Sequence, residues 1–376
     1  MITTNRRSRI LVINLSLLIL MALPTLCDAA RWRTCGGSPQ RWSGERISIH
    51  PAAVSFGSDP RLAAALRYSV NTFFNRNASE FDFRIMDFDH GNFSTRNGRN
   101  QIAFTADDIG APAVAYRTTR CYWWFFAVRR GIVEGDVLFS NRSRWDFGNQ
   151  FQRRNITAWR GRFRPFYTTA LHELGHVAGL SHESRVYNIM GSDPTHLNAT
   201  TNGEYLPSVG EDAGLGLVRL YGRGNQDDLA VTSFVRTGAS GEYSAHDFGL
   251  IRDTNQGFVL KWRSYPVGRR FDVARGQLVD VPFTFENPGG VDHRNVRVSF
   301  YISANMNISD NDIEIGSRAI NFLFDSPRTV TTTLRIPDGL VFGGTYYLGV
   351  VINSDLALEE DWYHNNTAYH PIRIRG

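Results

Sequence analysis

This sequence is short of lysine, of cysteine and of long apolar runs. Its 376 residues include three cysteines and a single lysine, Lys261, and the only extended apolar run lies near the N-terminus. The chain therefore has no second candidate for a membrane-spanning helix. It has no short-period repeats or low-complexity tracts, and 42% hydrophobic residues are enough to form cores, which excludes a disordered chain. The length suits two domains.

The first thirty residues have the organisation of a secretory signal peptide. Arginines within 6–9 precede a mostly apolar stretch at 10–23, and Ala29-Ala30 follows as a cleavage site. A retained membrane anchor is the alternative, but the apolar stretch is shorter than the roughly 20 residues that a spanning helix needs. A lipid anchor on Cys27 is disfavoured because the residue before it is not small. We therefore expect a secreted, extracellular protein, with a periplasmic or surface-associated location as the alternative.

Positive charge is carried almost entirely by arginine and is concentrated in one section. Between Arg117 and Arg164 there are eleven arginines and three acidic residues. Such a section could attract anionic polymers or acidic proteins. A solvated face whose arginine stems cover tryptophans is the simpler interpretation, because the charges are spread over several predicted strands and loops. We therefore expect no nucleic-acid partner.

Residues 31–224 mix helical and strand patterns. Asp59 followed by Pro60 predicts the start of a helix that runs to about Asn75. Two further helices are predicted at 168–178 and 211–221. Short strands are predicted at 46–50, 81–88, 101–105 and 133–139.

Residues 225–376 show almost no helical periodicity. Alternating strands recur there between turn residues such as those at 287–290, a pattern typical of a β-sandwich. The linker between the two regions is placed at 223–226. The expected organisation is a signal peptide at 1–30, a first domain at 31–224 and a sandwich domain at 225–376.

One motif in the first domain predicts a catalytic zinc site. His172 and His176 are four residues apart and project from the same face of a helix. Glu173 follows the first histidine, where its carboxylate can act as a general base. Gly179 permits a sharp turn at the helix end, which returns His182 as the third ligand. Three protein ligands and one open position are what a catalytic zinc requires, and unrelated histidines rarely match all these spacings.

This stretch resembles the extended zinc signature of the metzincin metallopeptidases. The segment 187–191 resembles their methionine turn, in which Met190 would lie beneath the zinc as a hydrophobic floor. Within that clan the chain is most similar to the matrixins of the bacterial type. The segment 135–140 resembles the matrixin strand at the upper rim of the cleft, and 210–222 resembles their C-terminal helix. The resemblance implies an α+β zincin-like fold, one catalytic Zn²⁺ and an extended protein or peptide substrate that pairs with the rim strand.

Two features depart from the matrixin pattern. Glu183 follows the third histidine, where matrixins usually have serine, and a glutamate there is reminiscent of astacins. The choice between matrixin and another metzincin subfamily therefore stays open. The loop that binds a structural zinc in animal matrixins is not recognisable. A structural Ca²⁺ is compatible with the sequence, but no ligand set for it can be named.

Two cysteines remain after signal cleavage, Cys35 and Cys121. An even pair in an exported protein predicts a disulfide. The alternative is that Cys35 caps the zinc as an inhibitory thiolate. Matrixin proenzymes use such a thiolate from a propeptide, and this chain has almost no room for one.

The C-terminal region resembles the CARDB-like adhesion domains of bacterial exported proteins. The resemblance rests on the segments 228–233, 285–289, 346–350 and 359–367. It implies a role in binding a surface or a protein partner, or as a spacer. A purely structural appendage is the alternative.

The expected function is that of a secreted zinc endopeptidase, with Glu173 assisting the attack of water on a peptide bond. One alternative is an exported adhesin with a vestigial or structural zinc site. The intact Glu173 argues against it, because a purely structural site does not need a base. A zinc amidase that acts on cell-wall peptides is the other alternative.

Overall fold

The computed structural model describes residues 31–124, 127–147, 164–183, 189–191, 197–199, 205–233, 249–265 and 268–376. The predicted signal peptide at 1–30 lies outside these residues. No helix in the described ranges combines the length and the apolar composition needed to cross a membrane.

Helices form close to the predicted positions. They are α1 (Ala53–Phe56), α2 (Pro60–Tyr68), α3 (Phe166–Val177) and α4 (Glu211–Tyr221). At the start of α2, the Asp59 carboxylate accepts a hydrogen bond from the backbone N–H of Arg61 at 2.9 Å, and Pro60 occupies the first helical position. A π-helical turn and a 3-10 turn then carry the chain on to Arg76.

Strands occur along the whole described chain. Those of the first half are β1 (Arg31–Trp32), β2 (Thr34–Cys35), β3 (Ser38–Pro39), β4 (Arg46–Pro51), β5 (Asp82–Ile85), β6 (Gln101–Thr105), β7 (Ala113–Trp124), β8 (Ala127–Ser140), β9 (Trp145–Asp146), β10 (Arg164–Pro165), β11 (Leu180–Ser181), β12 (Leu197–Ala199) and β13 (Tyr205–Pro207). Those of the second half are β14 (Ala230–Thr232), β15 (Arg252–Asp253), β16 (Trp262–Tyr265), β17 (Gly268–Ala274), β18 (Leu278–Glu286), β19 (His293–Ser303), β20 (Ile313–Phe322), β21 (Arg328–Arg335), β22 (Thr345–Ile352) and β23 (Thr367–Arg375).

A five-stranded sheet in the order β5-β4-β6-β8-β7 lies at the centre of the first half. β4 is parallel to β5 and β6, β8 is parallel to β6, and β7 is antiparallel to β8. β8 is thus hydrogen-bonded on both sides, whereas β7 pairs only with β8 among the described strands. The expectation that 135–140 forms the rim of a cleft was therefore wrong, because this segment lies in β8, which is flanked by β6 and β7 on its two sides.

The predicted fold class, an α+β zincin-like domain followed by an all-β sandwich, was wrong. Of the residues that the structure describes, 43% lie in strands of several sheets and 15% lie in helices, so this part of the chain is mainly β. The three longer helices have only nine, twelve and eleven residues. The β7–β8 hairpin is much longer than the single strand predicted at 133–139. Local helical patterns are visible in sequence, but the strand pairing that dominates this chain joins residues far apart.

In the second half, two sheets pack against each other. One contains β14, β18, β15 and β21, and the other has the order β16-β17-β23-β22-β19-β20. Val281 and Phe283 from the first sheet and Phe300 and Leu348 from the second belong to one hydrophobic cluster. Burial of each such side chain stabilises the fold by about 1.5–3 kcal/mol relative to leaving it exposed.

One segment of the second half enters the core of the first. Trp362 belongs to the hydrophobic cluster otherwise formed by residues between 42 and 221. Its ring centroid lies 6.1 Å from that of Phe73, and the Arg76 guanidinium lies over it at 5.0 Å. The Glu211 carboxylate, at the start of α4, accepts a hydrogen bond from the backbone N–H of Asn287 at 2.9 Å. The two halves are therefore joined by buried contacts, and the domain boundary at 224/225 stays a prediction.

Candidate metal centre

Three histidines converge beside α3. His172 and His176 lie one turn apart on the helix, and His182 follows β11. Nε2 of His182 lies 3.0 Å from Nε2 of His172 and 3.1 Å from Nε2 of His176. The ligand atoms all lie within 4.8 Å of one another. The three side chains therefore form a group that could hold one metal ion.

Backbone carbonyls fix the tautomers of two of these histidines. Nδ1 of His172 lies 2.8 Å from the carbonyl oxygen of Ile189, and Nδ1 of His176 lies 3.0 Å from that of Leu180. Because a carbonyl only accepts, each Nδ1 carries the hydrogen and each Nε2 presents a lone pair. Nε2 of His182 can carry at most one hydrogen, which cannot satisfy the Nε2 lone pairs of both His172 and His176. The three nitrogens therefore fit the ligand set of a cation. Tetrahedral Zn–N bonds of about 2.0–2.1 Å would place the nitrogens about 3.3 Å apart, close to the observed spacing.

Burial changes the protonation of the histidines and of the adjacent glutamate. It lowers the pKa of His172 to about 4 and holds the pKa of His176 well below its usual value. Both imidazoles are therefore neutral near pH 7, which is the form that binds a metal. Burial also raises the pKa of Glu173 to about 8, and a hydrogen bond from the backbone N–H of Ala115 acts in the opposite direction.

Glu173 lies between the histidines and the edge strand β7. Ala115 of β7 is in register with Val137 of β8. Since the Ala115 N–H donates to the Glu173 carboxylate, it points away from β8 and toward the outer edge of β7. The candidate base is thus held next to the strand edge that is open for pairing among the described residues.

Two aromatic side chains hold the end of α3. The indole N–H of Trp42 donates to the carbonyl oxygen of Val177 at 2.8 Å, and the Tyr221 hydroxyl donates to that of Ala178. Both carbonyls lie in the last turn, where a helix leaves its C=O groups without intrahelical partners. Gly179 follows with a φ of +115°, a conformation that favours glycine. This turn brings His182 back to the other two histidines.

Met190 lies directly beneath α3. It is 2% exposed, and a Cβ added to Gly175 of the helix would collide with its sulfur. The Met190 carbonyl accepts a hydrogen bond from the backbone N–H of Glu183 at 3.0 Å. The neighbouring Ile189 provides the carbonyl that faces His172. Of the segment 187–191, positions 187 and 188 lie outside the described residues.

The first residues of the described chain wrap around the centre. β1 pairs with β11, and the Arg31 guanidinium forms an ion pair with the buried Glu183 carboxylate at 3.0 Å. Cys35 forms a disulfide with Cys121 of β7, with a Cα–Cα distance of 5.8 Å. Cys35 is therefore not available as the inhibitory thiolate that the sequence left as an alternative.

Several residues of the centre were missed by sequence reasoning. Trp42 carries no local signal, because its partner Val177 is 135 residues away. Tyr221 was noted only as part of a helix ending, and Ala115 is an ordinary small residue of a strand. Trp42 and Tyr221 each donate one hydrogen bond to a carbonyl at the end of α3, and Ala115 donates one to the Glu173 carboxylate. Only the folded chain reveals these contacts.

No protein-family model matches the chain, and no curated protein matches it. Among solved structures the chain is similar to a CARDB domain from Pyrococcus furiosus in complex with di-metal ions. The match is 15% identical in sequence and covers 40% of this chain and 89% of the CARDB domain, with a TM-score of 0.24. OgpA from Akkermansia muciniphila is 12% identical over 87% of this chain and 94% of that one, with a TM-score of 0.25. A CARDB domain is thus among the structures to which the chain is similar, and these comparisons do not support the expected metzincin or matrixin family.

Proposed function

We propose that this protein is a secreted zinc endopeptidase whose metal is held by His172, His176 and His182. The observation that carries the proposal is the convergence of three imidazoles, two of them held neutral by burial, beside the buried carboxyl group of Glu173. Zinc bound by such a set supplies Lewis-acid polarisation and lowers the pKa of water to about 7. The positive φ of Gly179 and the buried Met190 support the position of the third histidine and the packing beneath α3.

Glu173 is the proton carrier of the proposed reaction. A cation held by the adjacent histidines would favour the ionised form of this carboxyl, which then accepts a proton from the attacking water and passes it to the nitrogen of the departing amine. The hydrogen bond from Ala115 holds the carboxylate in one orientation during both transfers. Glu173 is only 7% exposed, which favours transfer of the proton to the amine rather than to bulk solvent.

The outer edge of β7 is the proposed binding place of the substrate. An extended peptide that pairs with this edge adds one strand to the five-stranded sheet. Such pairing uses backbone N–H and C=O groups and therefore tolerates many side chains. It also places a peptide bond close to Glu173, because Ala115 belongs to the same strand.

The test is cleavage of a denatured protein by Glu173→Gln and His182→Ala variants of the mature chain. We expect Glu173→Gln to retain zinc and the native melting temperature while cleavage falls by at least about 10³-fold. His182→Ala should lose zinc as well as cleavage. Glu314→Gln, at an exposed position of β20, is the matched control and should cleave normally. Undiminished cleavage by Glu173→Gln would refute the assignment, whereas wild-type cleavage of cell-wall peptides alone would favour the amidase alternative.

A further inference from the structure

Two polar segments at opposite ends of the second half meet in the structure. Nδ2 of Asn365 donates to Oδ1 of Asp228 at 2.9 Å, across 137 residues of sequence. The Glu360 carboxylate accepts hydrogen bonds from the backbone N–H of Leu229 at 2.9 Å and from Nδ2 of Asn366 at 2.7 Å. Both segments contain motifs that the sequence marks out and that the proposed peptidase reaction does not use.

The cluster contains two buried carboxylates, and the Arg76 guanidinium lowers the pKa of Asp228 without forming an ion pair with it. Asp228 is 4% exposed and Glu360 is 6% exposed. Neither forms an ion pair with any residue in the described part of the chain. Burial is the largest influence on both groups and raises the pKa of each carboxyl. A buried charge is costly unless it is paired or coordinates a metal.

The two carboxylates differ in how well the protein satisfies them. Glu360 receives three N–H donors, the third being Nδ2 of Asn353 at 2.8 Å. Among the described residues, the Asp228 carboxylate receives one donor, Nδ2 of Asn365. Most of the capacity of the Asp228 carboxylate to accept hydrogen bonds is therefore unused.

Unpartnered oxygens accompany the poorly satisfied carboxylate. Oδ1 of Asn365 and Oδ1 of Asn366 accept no hydrogen bond, although these residues are 0% and 4% exposed. The Asn365 carboxamide faces Asp228, because its Nδ2 contacts that carboxylate. Carboxylate and carboxamide oxygens are the ligands that Ca²⁺ prefers.

We propose that Asp228 and Asn365, with Glu360 and Asn366 beside them, bind one divalent cation of the calcium type. The site would tie the chain before β14 to the chain before β23. The second of these carries Trp362, which packs in the core of the first half. A cation here would therefore strengthen the connection between the two halves. The proposal does not depend on the peptidase assignment, because none of its residues lies at the three histidines.

The probe is CaCl₂ added to the full mature chain after treatment with a chelating resin and reloading with one equivalent of zinc. Calorimetric titration should show one saturable Ca²⁺ site. The melting temperature should rise with Ca²⁺ up to about 5 mM, above the ~10⁻⁴–10⁻³ M range of extracellular calcium modules. Asp228→Asn and Asn365→Ala should each weaken binding at least tenfold. Asn365→Asp, which keeps an oxygen ligand and adds a charge, should retain it.

Asp253→Asn is the matched control, because that carboxylate in the same half already accepts three hydrogen bonds. It should leave Ca²⁺ affinity unchanged, and so should His182→Ala. The absence of a Ca²⁺ response in the wild-type chain would overturn the proposal. In that case a proton on Asp228, shared with the Asn365 oxygen, would satisfy the pair instead. Unchanged Ca²⁺ binding by Asp228→Asn would equally overturn it.

Discussion

Replacing Gly175 with alanine should destabilise the protein, even though alanine is the better helix former. Gly175 lies in the middle of α3, between the glutamate and the second histidine. An added Cβ would overlap the sulfur of Met190 and approach its Cε to 3.3 Å. Met190 is buried and cannot swing into solvent, so either the methionine or the helix must move.

Two opposing contributions set the size of the change in the free energy of unfolding. Glycine to alanine in a helix interior stabilises by about 1 kcal/mol. Overpacking a filled core costs about 1–3 kcal/mol, and this contact belongs at the upper end because it meets the sulfur directly. The free energy of unfolding should therefore fall by about 2 kcal/mol. At about 2–4 °C for each kcal/mol, the melting temperature should fall by roughly 4–8 °C.

Gly214→Ala provides a matched control. Gly214 is also buried in a helix, α4, but an added Cβ would meet only Ala78, with its Cβ at 3.8 Å and its backbone nitrogen at 3.9 Å, which are ordinary contacts. This variant should gain about 0.5–1 kcal/mol. The two glycine-to-alanine changes are thus expected to have opposite signs in the same urea or thermal unfolding experiment.

The cause can be tested with Met190→Ala as a second change. Met190→Ala alone should cost about 2–5 kcal/mol, because it leaves a cavity. In that background Gly175→Ala should no longer destabilise, which gives a coupling energy of about 2–3 kcal/mol. The reasoning would be refuted if Gly175→Ala were as stable as Gly214→Ala, or if the two changes near Met190 were additive.

Three further predictions follow from contacts outside the histidine cluster. Trp42→Phe removes the donor to the Val177 carbonyl and should weaken zinc binding about tenfold in a competition titration with a chelator, since it loosens the turn that positions the third ligand. Trp362→Ala should cost about 3–5 kcal/mol in urea unfolding, against less than about 0.5 kcal/mol for the exposed Val341→Ala. Burial lowers the pKa of His370 to about 4, so the folded state holds it neutral, and its stability contribution is lost as pH falls from about 6.5 to 4. This contribution of His370 amounts to roughly 3 kcal/mol in the free energy of unfolding, measured as a function of pH. It should be absent in His370→Gln.

The sequence alone determined the features that depend on local spacing. Histidines four residues apart share a helix face wherever that helix packs, so His172 and His176 could be paired from the sequence. Gly179 marked the turn that returns His182, and Asp59 marked the start of α2. The alternating patterns after residue 228 likewise predicted strands, because the two-residue period of a strand is visible within a few residues.

The tertiary structure decided everything that depends on pairing between distant residues. It placed β7 rather than β8 at the sheet edge, and it made the chain mostly β, because strand pairing has no local signature. It also brought Trp42 to the end of α3, Trp362 into the core of the first half and Asn365 to Asp228. These contacts join residues more than a hundred positions apart, and short-range periodicity carries no information about which distant partner satisfies a buried polar or aromatic group.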